Sequence, residues 1–292
     1  MRFLARESRH RPTPAQALVL VATLLSSACV FDGLVTADDS GFSHGPSRYG
    51  TLHGPSQLPV QGGGYRIPER WSERGLNYGV EELVSMLNYV GRSLELQSQD
   101  LVLSVGDLSR PAGGSSPWHR SHQTGRDVDL LFFVRDAKGR RMVSDTMYKH
   151  DSQGHALAAG EGGAHSFDVQ ANWLLVAALI ENPIAEVQYI FIQDDLRHLL
   201  LEHAMQIGAH RALLTRAFEV LRQARDSAPL DHHLHIRIYC PLVDLRSGSE
   251  DFGKLRWHKR DYKYARRIER LRRYDKLGAV AEAVAALPWL WR

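Results

Sequence analysis

The sequence contains only two cysteines, Cys29 and Cys240, among 292 residues. A framework of several disulfides is therefore excluded, and so is a structural zinc site closed by cysteine ligands. The apolar run over residues 15–25 is far shorter than the roughly 20 residues that a membrane-spanning helix needs. The pair Gly113-Gly114 is not followed by Gly-Lys-Ser or Gly-Lys-Thr, which argues against a phosphate-binding loop there.

The first 28 residues have the pattern of a secretory signal: basic residues, then the apolar run, then the small residues Ser26-Ser-Ala28. Export makes nucleic acid a poor candidate partner and predicts a periplasmic location. Leu25-Ser-Ser-Ala-Cys29 also resembles a lipoprotein cleavage box, with Ser26 where leucine is usual. Two alternatives stay open: lipidation of Cys29 with attachment to the outer membrane, or ordinary cleavage that leaves Cys29 able to pair with Cys240.

Composition divides the rest of the chain into three parts. Residues 29–57 are rich in glycine, serine and proline and predict a flexible spacer. Residues 58–249 mix helical patterns, one of them over residues 212–225, with strand patterns and without a strict βαβ rhythm, which predicts an α+β domain whose sheet is flanked by helices. Residues 250–292 predict a basic helical extension, since 254–276 carry eleven Lys or Arg. That extension either packs on the domain or binds an anionic surface of the cell envelope, such as lipid headgroups or the wall polymer.

One candidate metal-binding segment is Ser121-His-Gln-Thr-Gly-Arg-Asp-Val-Asp129. On a helix, His122 and Asp129 would lie roughly 10 Å apart, too far for both to bind one ion at about 2 Å. The segment is therefore predicted to be a loop that turns at Gly125 and delivers Asp129 to an apolar strand. Asp127 would share a strand face with Asp129 and is the alternative ligand.

A second candidate segment is Asp231-His-His-Leu-His-Ile-Arg-Ile-Tyr-Cys240. On a strand, His233 and His235 lie on one face and the aliphatic residues between and after them on the other. Two imidazoles and one carboxylate leave an open coordination position, which is the pattern of catalytic zinc and not of structural zinc. The remaining histidine would then be available to move a proton.

These segments resemble the penicillin-insensitive murein endopeptidase family. Further resemblance lies in Asn77-Tyr78-Gly79, Val105-Gly106-Asp107, Asn172-Trp173 and Tyr239-Cys240-Pro241. The family belongs to the lysostaphin-type and D-Ala-D-Ala metallopeptidases, which share a small antiparallel sheet bearing a zinc site. The resemblance implies zinc on His122, Asp129 and His235, with His233 handling the proton.

The resemblance also implies a role for His119 at the site, either beside the ligands or on a second zinc. Some members of the family hold that second ion with a downstream Asp-x-x-His pair. The strict pair is missing here, and the corresponding region offers only Asp145, His150, Asp151 and His155.

The expected activity is that of a zinc endopeptidase that hydrolyses D-alanyl to meso-diaminopimelyl cross-links and is insensitive to beta-lactams. Its partners would be the stem peptides of peptidoglycan. One alternative is a zinc D,D- or L,D-carboxypeptidase that trims stem peptides. Another is a non-catalytic zinc-containing module that binds the cell wall.

Overall fold

The computed structural model describes residues 41–157, 165–225, 227–251 and 253. Within these ranges there are fifteen strands, five α-helices and one 3₁₀ helix. The strands are β1 Phe42–Pro46, β2 Thr51–His53, β3 Ser56–Gln57, β4 Gln61–Gly62, β5 Tyr65–Arg66, β6 Tyr78–Gly79, β7 Leu103–Ser104, β8 Asp127–Leu131, β9 Val134–Asp136, β10 Arg141–Met142, β11 His165–Phe167, β12 Val187–Phe191, β13 Leu221–Arg222, β14 His233–Ile238 and β15 Ser249–Glu250. The helices are α1 Glu69–Ser72, α2 Glu81–Gln97, α3 Val169–Glu181, α4 Asp194–Gln206 and α5 Arg211–Val220, with the 3₁₀ helix at Asp244–Ser247.

The mixed α+β class is confirmed, but the predicted single central sheet is replaced by several small ones. Among the described residues the strands form five sheets, of which the largest has the order β13-β12-β14-β8. In it β14 is antiparallel to both β12 and β8, whereas β13 runs parallel to β12. Many of the other strands are only two or three residues long, and they form separate sheets of two or three strands.

Strands β8 and β14 have one polar and one apolar face. Leu234, Ile236 and Ile238 of β14 are at most 1% exposed, as the alternation in the sequence predicts. Val128 and Leu130 of β8 are equally buried beneath the sheet. Burial of these aliphatic side chains fixes the register, because a slip of one residue would turn the whole polar set into the core.

Helix α3 lies at the centre of the helical layer and contacts α2, α4 and α5. It begins at the cap residue Asp168, whose carboxylate accepts a hydrogen bond from the amide of Ala171. Buried Asn172 donates to the carbonyl of Phe133 and accepts from its amide, at 2.8 and 3.1 Å. These bonds hold the end of the segment that follows β8 against the helix.

The predicted spacer over residues 29–57 is wrong for the part that the structure describes, because β1, β2 and β3 lie within it. Buried Ser43 donates hydrogen bonds from its amide and its hydroxyl to Asp244, at 2.8 and 2.9 Å. Strand β1 also pairs in parallel with β15 near the end of the domain. Polar residues that suggested a flexible segment are instead satisfied by partners about 200 positions away, which a local pattern cannot reveal.

The helix predicted over residues 212–225 ends earlier than expected, at Val220. Leu221 and Arg222 pair with β12, and the Arg222 carbonyl accepts a hydrogen bond from the amide of Ile192. The predicted signal at residues 1–28 and Cys29 lie outside the described residues, and so does the predicted basic extension over 250–292 apart from residues 250, 251 and 253. No helix in the described part is long and apolar enough to cross a membrane.

Candidate metal centre

Pairing of β8 with β14 places Asp129 directly opposite His235. Asp129 is 2% exposed, and its Oδ1 lies 3.1 Å from Nδ1 of His235. Directly opposite residues share one face of an antiparallel pair, so both side chains point to the polar side of the sheet. Two of the predicted ligands are therefore fixed by the sheet.

His122 reaches the same point from the loop before β8. The loop turns at Gly125, whose φ of +69° confirms the predicted glycine turn, and a Cβ there would lie 2.7 Å from Leu52. His122 itself has φ +65°, the left-handed region that is unfavourable for most non-glycine residues. Its Nδ1 donates to the Leu108 carbonyl at 2.6 Å, which directs Nε2 toward the other two ligands.

The spacing of the three atoms fits a tetrahedral metal ion. Nε2 of His122 lies 3.4 Å from Oδ1 of Asp129 and 3.3 Å from Nδ1 of His235. Bonds of about 2.0–2.1 Å around a tetrahedral zinc would place ligand atoms about 3.3–3.4 Å apart. Oδ1 of Asp129 is buried without a hydrogen-bond donor among the described residues, as expected of an oxygen meant for a cation.

The outer nitrogen of His235 is held by Asp127. Nε2 of His235 lies 2.8 Å from Oδ1 of Asp127, and the same oxygen accepts from Nε of Arg237 at 2.7 Å. Histidines that bind metals usually donate their second ring nitrogen to such a carboxylate or to a carbonyl. Asp127 thus stands behind the ligands, in contact with His235, and is not placed as the alternative ligand that its position in the sequence allows.

Burial and charge set the protonation of this cluster. Burial lowers the pKa of His122 against the opposing effect of Asp129. Burial also disfavours the charged form of His235, but its contacts with the Asp127 and Asp129 carboxylates outweigh that effect and raise the pKa of His235 to about 9. For Asp127, burial acts to raise the pKa, yet the Arg237 charge and His235 bring it far below the ordinary value. Both aspartates in the cluster are therefore ionised and suited to a cation.

His233 is the fourth ring near these atoms. Its Nε2 lies 3.3 Å from Oδ1 of Asp129, so Asp129, His233 and His235 also form a compact group that could hold an ion. His233 is 7% exposed, and its Nδ1 has no hydrogen-bond partner in the described part of the chain. The contrast with His235, whose outer nitrogen is fixed by Asp127, favours His235 as the ligand and leaves His233 as the more adaptable ring.

His119 lies beside His122, with ring centroids 4.1 Å apart. Its Nε2 is 2.7 Å from Oδ2 of Asp107, and its Nδ1 is 3.7 Å from Oδ2 of Asp129. Asp107 also accepts from Arg74 at 2.6 Å. His119, His122 and Asp129 form the other compact group with metal-binding spacing.

The residues that were considered for a second ion do not join either group in the described structure. Asp145 forms an ion pair with Arg66. Asp151 and His155 pair with each other at 3.5 Å on the surface. His150 is 1% exposed and packs between aromatic rings. The geometry thus gives no support to a second site built from these four residues.

Three groups that contact the candidate ligands or their neighbours were not predicted from the sequence: Arg74, the Leu108 carbonyl and Arg237. Arg237 follows His235 at i+2, so its position on the same strand face was readable. Arg74 and Leu108 come from separate segments, and no local pattern points to them.

Cys240 is a buried free thiol whose Sγ lies 3.0 Å from Oγ of Ser249. Its predicted alternative pairing with Cys29 involves a residue outside the described ranges.

His119, Asp129, His233 and His235 line a cleft of about 970 Å³. Trp118, 53% exposed, stands at one side with Arg74 stacked on its ring at 5.1 Å. Tyr189 and Phe191 of β12 lie on the side of His235, from which Phe191 is 5.5 Å away. A second groove, of about 780 Å³, lies between α4 and α5 and contains no histidine or cysteine. Asp129 and His235, two of the three candidate ligands, therefore line the larger of these two cavities.

Comparison with known proteins places the chain in a family. Residues 43–250 match the family model described as penicillin-insensitive murein endopeptidase. A penicillin-insensitive murein endopeptidase of Klebsiella pneumoniae is 26% identical over 208 residues, which are 70% of this chain and 69% of that protein. One of Salmonella typhi is 27% identical over 200 residues, 67% of this chain and 65% of that protein. The chain belongs to the penicillin-insensitive murein endopeptidase family.

Proposed function

We propose that this protein is a zinc-dependent endopeptidase that hydrolyses the D-alanyl to meso-diaminopimelyl cross-links of peptidoglycan. The observation that carries the proposal is the convergence of His122 Nε2, Asp129 Oδ1 and His235 Nδ1 within 3.1–3.4 Å of one another. The family supplies the substrate class, since the relatives are named as murein endopeptidases. An ionised carboxylate oxygen and two imidazole nitrogens are donor atoms of the kind that zinc prefers.

His122, Asp129 and His235 would hold the zinc ion. When bound, zinc supplies a water of pKa about 7 and polarises the scissile carbonyl. The Leu108 carbonyl and the Asp127 carboxylate orient the two imidazoles by fixing the nitrogens that face away from the ion. The protein therefore contributes a preformed, rigid set of ligands, because two of the three lie on paired strands.

His233 is the proposed proton carrier. Its Nε2 faces Asp129 at 3.3 Å, within reach of a water held between these side chains. We assign to this atom the acceptance of a proton from the attacking water and its return to the departing amine. The unpartnered Nδ1 suits this role, because no fixed bond ties the ring to one orientation or one protonation state.

The shape of the site favours an endopeptidase over the two alternatives. The cleft is near the upper end of the range for small-ligand pockets and is bordered on both sides of the cluster, which suits a peptide crossing the site. A carboxypeptidase removes a terminal residue, so the peptide needs to extend along the cleft on only one side of the metal centre. A wall-binding module would need neither the adaptable His233 nor an open metal position.

Digestion of purified cross-linked muropeptide dimers distinguishes these functions. An endopeptidase converts dimers to monomers, whereas a carboxypeptidase removes one terminal residue and leaves the cross-link intact. Because the proposed attack comes from water and forms no acyl-serine, benzylpenicillin should leave the rate unchanged. Loss of activity in benzylpenicillin, or release of a single alanine without cleavage of the dimer, would overturn the assignment.

The proposed site of action is the periplasm, where this substrate lies. The predicted signal at residues 1–28 agrees with export. Attachment through a lipidated Cys29, or through the basic extension over residues 250–292, stays a prediction from the sequence.

A further inference from the structure

The cleft carries an excess of positive charge that the metal centre does not explain. Seven arginines line it against two aspartates, Asp107 and Asp129. Both aspartates are already engaged, Asp107 by Arg74 and His119 and Asp129 by the histidines. Four of the arginines form no ion pair with any described residue: Arg70, Arg120, Arg222 and Arg225.

Arg222 is the most defined of these four. In the sheet it lies opposite Phe191, Phe191 lies opposite His235, and His235 lies opposite Asp129. The four residues therefore form one row across four strands, and residues in such a row project from the same face. With neighbouring strands about 4.8 Å apart, the Cα of Arg222 is about 10 Å from that of His235.

The Arg222 guanidinium is held in place and forms no ion pair with any described residue. It lies over the ring of Tyr189, 5.1 Å from the centroid, and its backbone is fixed by pairing with β12. The side chain is half-buried in the wall of the cleft. Stacking on an aromatic face restrains the guanidinium and leaves its N–H groups free to donate hydrogen bonds. An arginine so placed is suited to bind a carboxylate at two points.

The substrate class proposed above supplies such a carboxylate. In a D-alanyl to meso-diaminopimelyl cross-link, the carbon that bears the scissile amide nitrogen also bears a free carboxylate. The stem peptide carries another on its glutamyl residue. Either group would be anionic at neutral pH and would reach a cationic wall close to the metal ligands.

We propose that Arg222 is a specificity-determining residue that binds a free carboxylate of the substrate, so that the protein selects anionic stem peptides over amidated ones. The inference rests on the proposed function for its substrate and extends it to the chemistry that the cleft recognises. Arg222 would act in binding and not in bond cleavage, because its backbone lies two strands from His235 and it contacts none of the proposed ligands.

The test compares three defined muropeptide dimers: one with all carboxylates free, one amidated on diaminopimelate and one amidated on the glutamyl residue. We expect amidation at the recognised position to raise KM about tenfold in the wild-type protein, with kcat changed less than twofold. Amidation at the other position should have little effect, which identifies the source of the carboxylate. Arg222→Gln should raise KM for the free-carboxylate dimer about tenfold and remove the discrimination, while Arg222→Lys should retain part of it.

Binding of the uncleavable monomeric stem peptide, measured by calorimetry, provides a readout that does not need turnover. Arg211→Gln, an exposed arginine on α5 outside the cleft, is the matched control and should behave as wild type. Equal KM for all three dimers in the wild-type protein would overturn the proposal, and so would an Arg222→Gln variant that weakens free and amidated substrates equally. Absence of hydrolysis of every dimer, with binding still sensitive to amidation, would instead count against the endopeptidase function alone.

Discussion

Nε2 of His235 and Oδ1 of Asp127 lie 2.8 Å apart, on neighbouring strands and on the side of the imidazole away from the proposed ion. Asp127 is fully buried and also pairs with Arg237. The carboxylate therefore fixes the tautomer and the orientation of His235 without occupying a coordination position.

This contact predicts the effect of Asp127→Asn. Loss of the negative charge behind His235 should weaken zinc affinity about 10- to 100-fold. Competition with a chromogenic chelator measures that affinity directly. Asp194→Asn, an exposed aspartate on α4, serves as the matched control and should leave affinity unchanged. Zinc affinity within twofold of wild type in Asp127→Asn would show that the contact does not support the metal.

Removal of the proposed proton carrier should separate binding from catalysis. In His233→Ala we expect bound zinc to stay at the wild-type level while kcat falls about 10²- to 10⁴-fold. Metal analysis and turnover of a cross-linked dimer are the two measurements. His198→Ala, on the exposed side of α4, is the control. A variant that loses both zinc and activity would indicate that His233 is a ligand.

The ion pair between Arg126 and Asp251 should contribute strongly to stability. Its atoms lie 3.0 Å apart with both side chains 1% exposed, and it links the start of β8 to the chain after β15. Arg126→Met removes the cation that balances the buried Asp251 carboxylate, which also accepts from the Cys240 amide at 2.8 Å, and should lower the free energy of unfolding by about 3–5 kcal/mol.

The same truncation at the exposed Arg140, paired with Asp136, should cost less than about 1 kcal/mol. Urea denaturation compares the two variants. Equal small losses would mean that the Arg126 pair contributes no more than a surface contact. Arg126→Met combined with Asp251→Asn should recover part of the loss, since less charge is then buried unpaired.

His150 should make the fold sensitive to mild acid. Burial lowers the pKa of His150 to about 4, and His165 and Asp231 are its titratable neighbours. An unfolded histidine has a pKa of about 6.5, so the unfolded chain binds this proton more readily. The stability that neutral His150 contributes is therefore fully present above pH 6.5 and is lost as the pH falls toward 4.

Replacement by His150→Phe should reduce the loss of unfolding free energy between pH 7 and pH 5 by about 2 kcal/mol. The phenyl ring suits a position that already packs against Phe132 and Phe167. His155→Phe, at an exposed position, is the control. An identical pH dependence in wild type and His150→Phe would show that His150 does not cause the loss of stability in acid.

The sequence predicted the candidate site better than it predicted the architecture around it. Alternation with a period of two placed His233 and His235 on one face of β14, and Gly125 marked the turn before Asp129, because both signals are local. Arg222 was assigned to a helix, since its parallel pairing with Phe191 depends on a strand some thirty residues earlier. Ser43 was assigned to a spacer for the same reason, as its partner is Asp244.

Dependence of hydrolysis on zinc is tested by mass spectrometry of cross-linked muropeptide dimers after incubation with the protein, first with chelator and then with zinc restored. We predict that dimers become monomers, that chelator stops this conversion, that zinc restores it, and that His235→Ala is inactive under all conditions. Undiminished conversion in the presence of chelator, or in His235→Ala, would contradict a zinc endopeptidase centred on His122, Asp129 and His235.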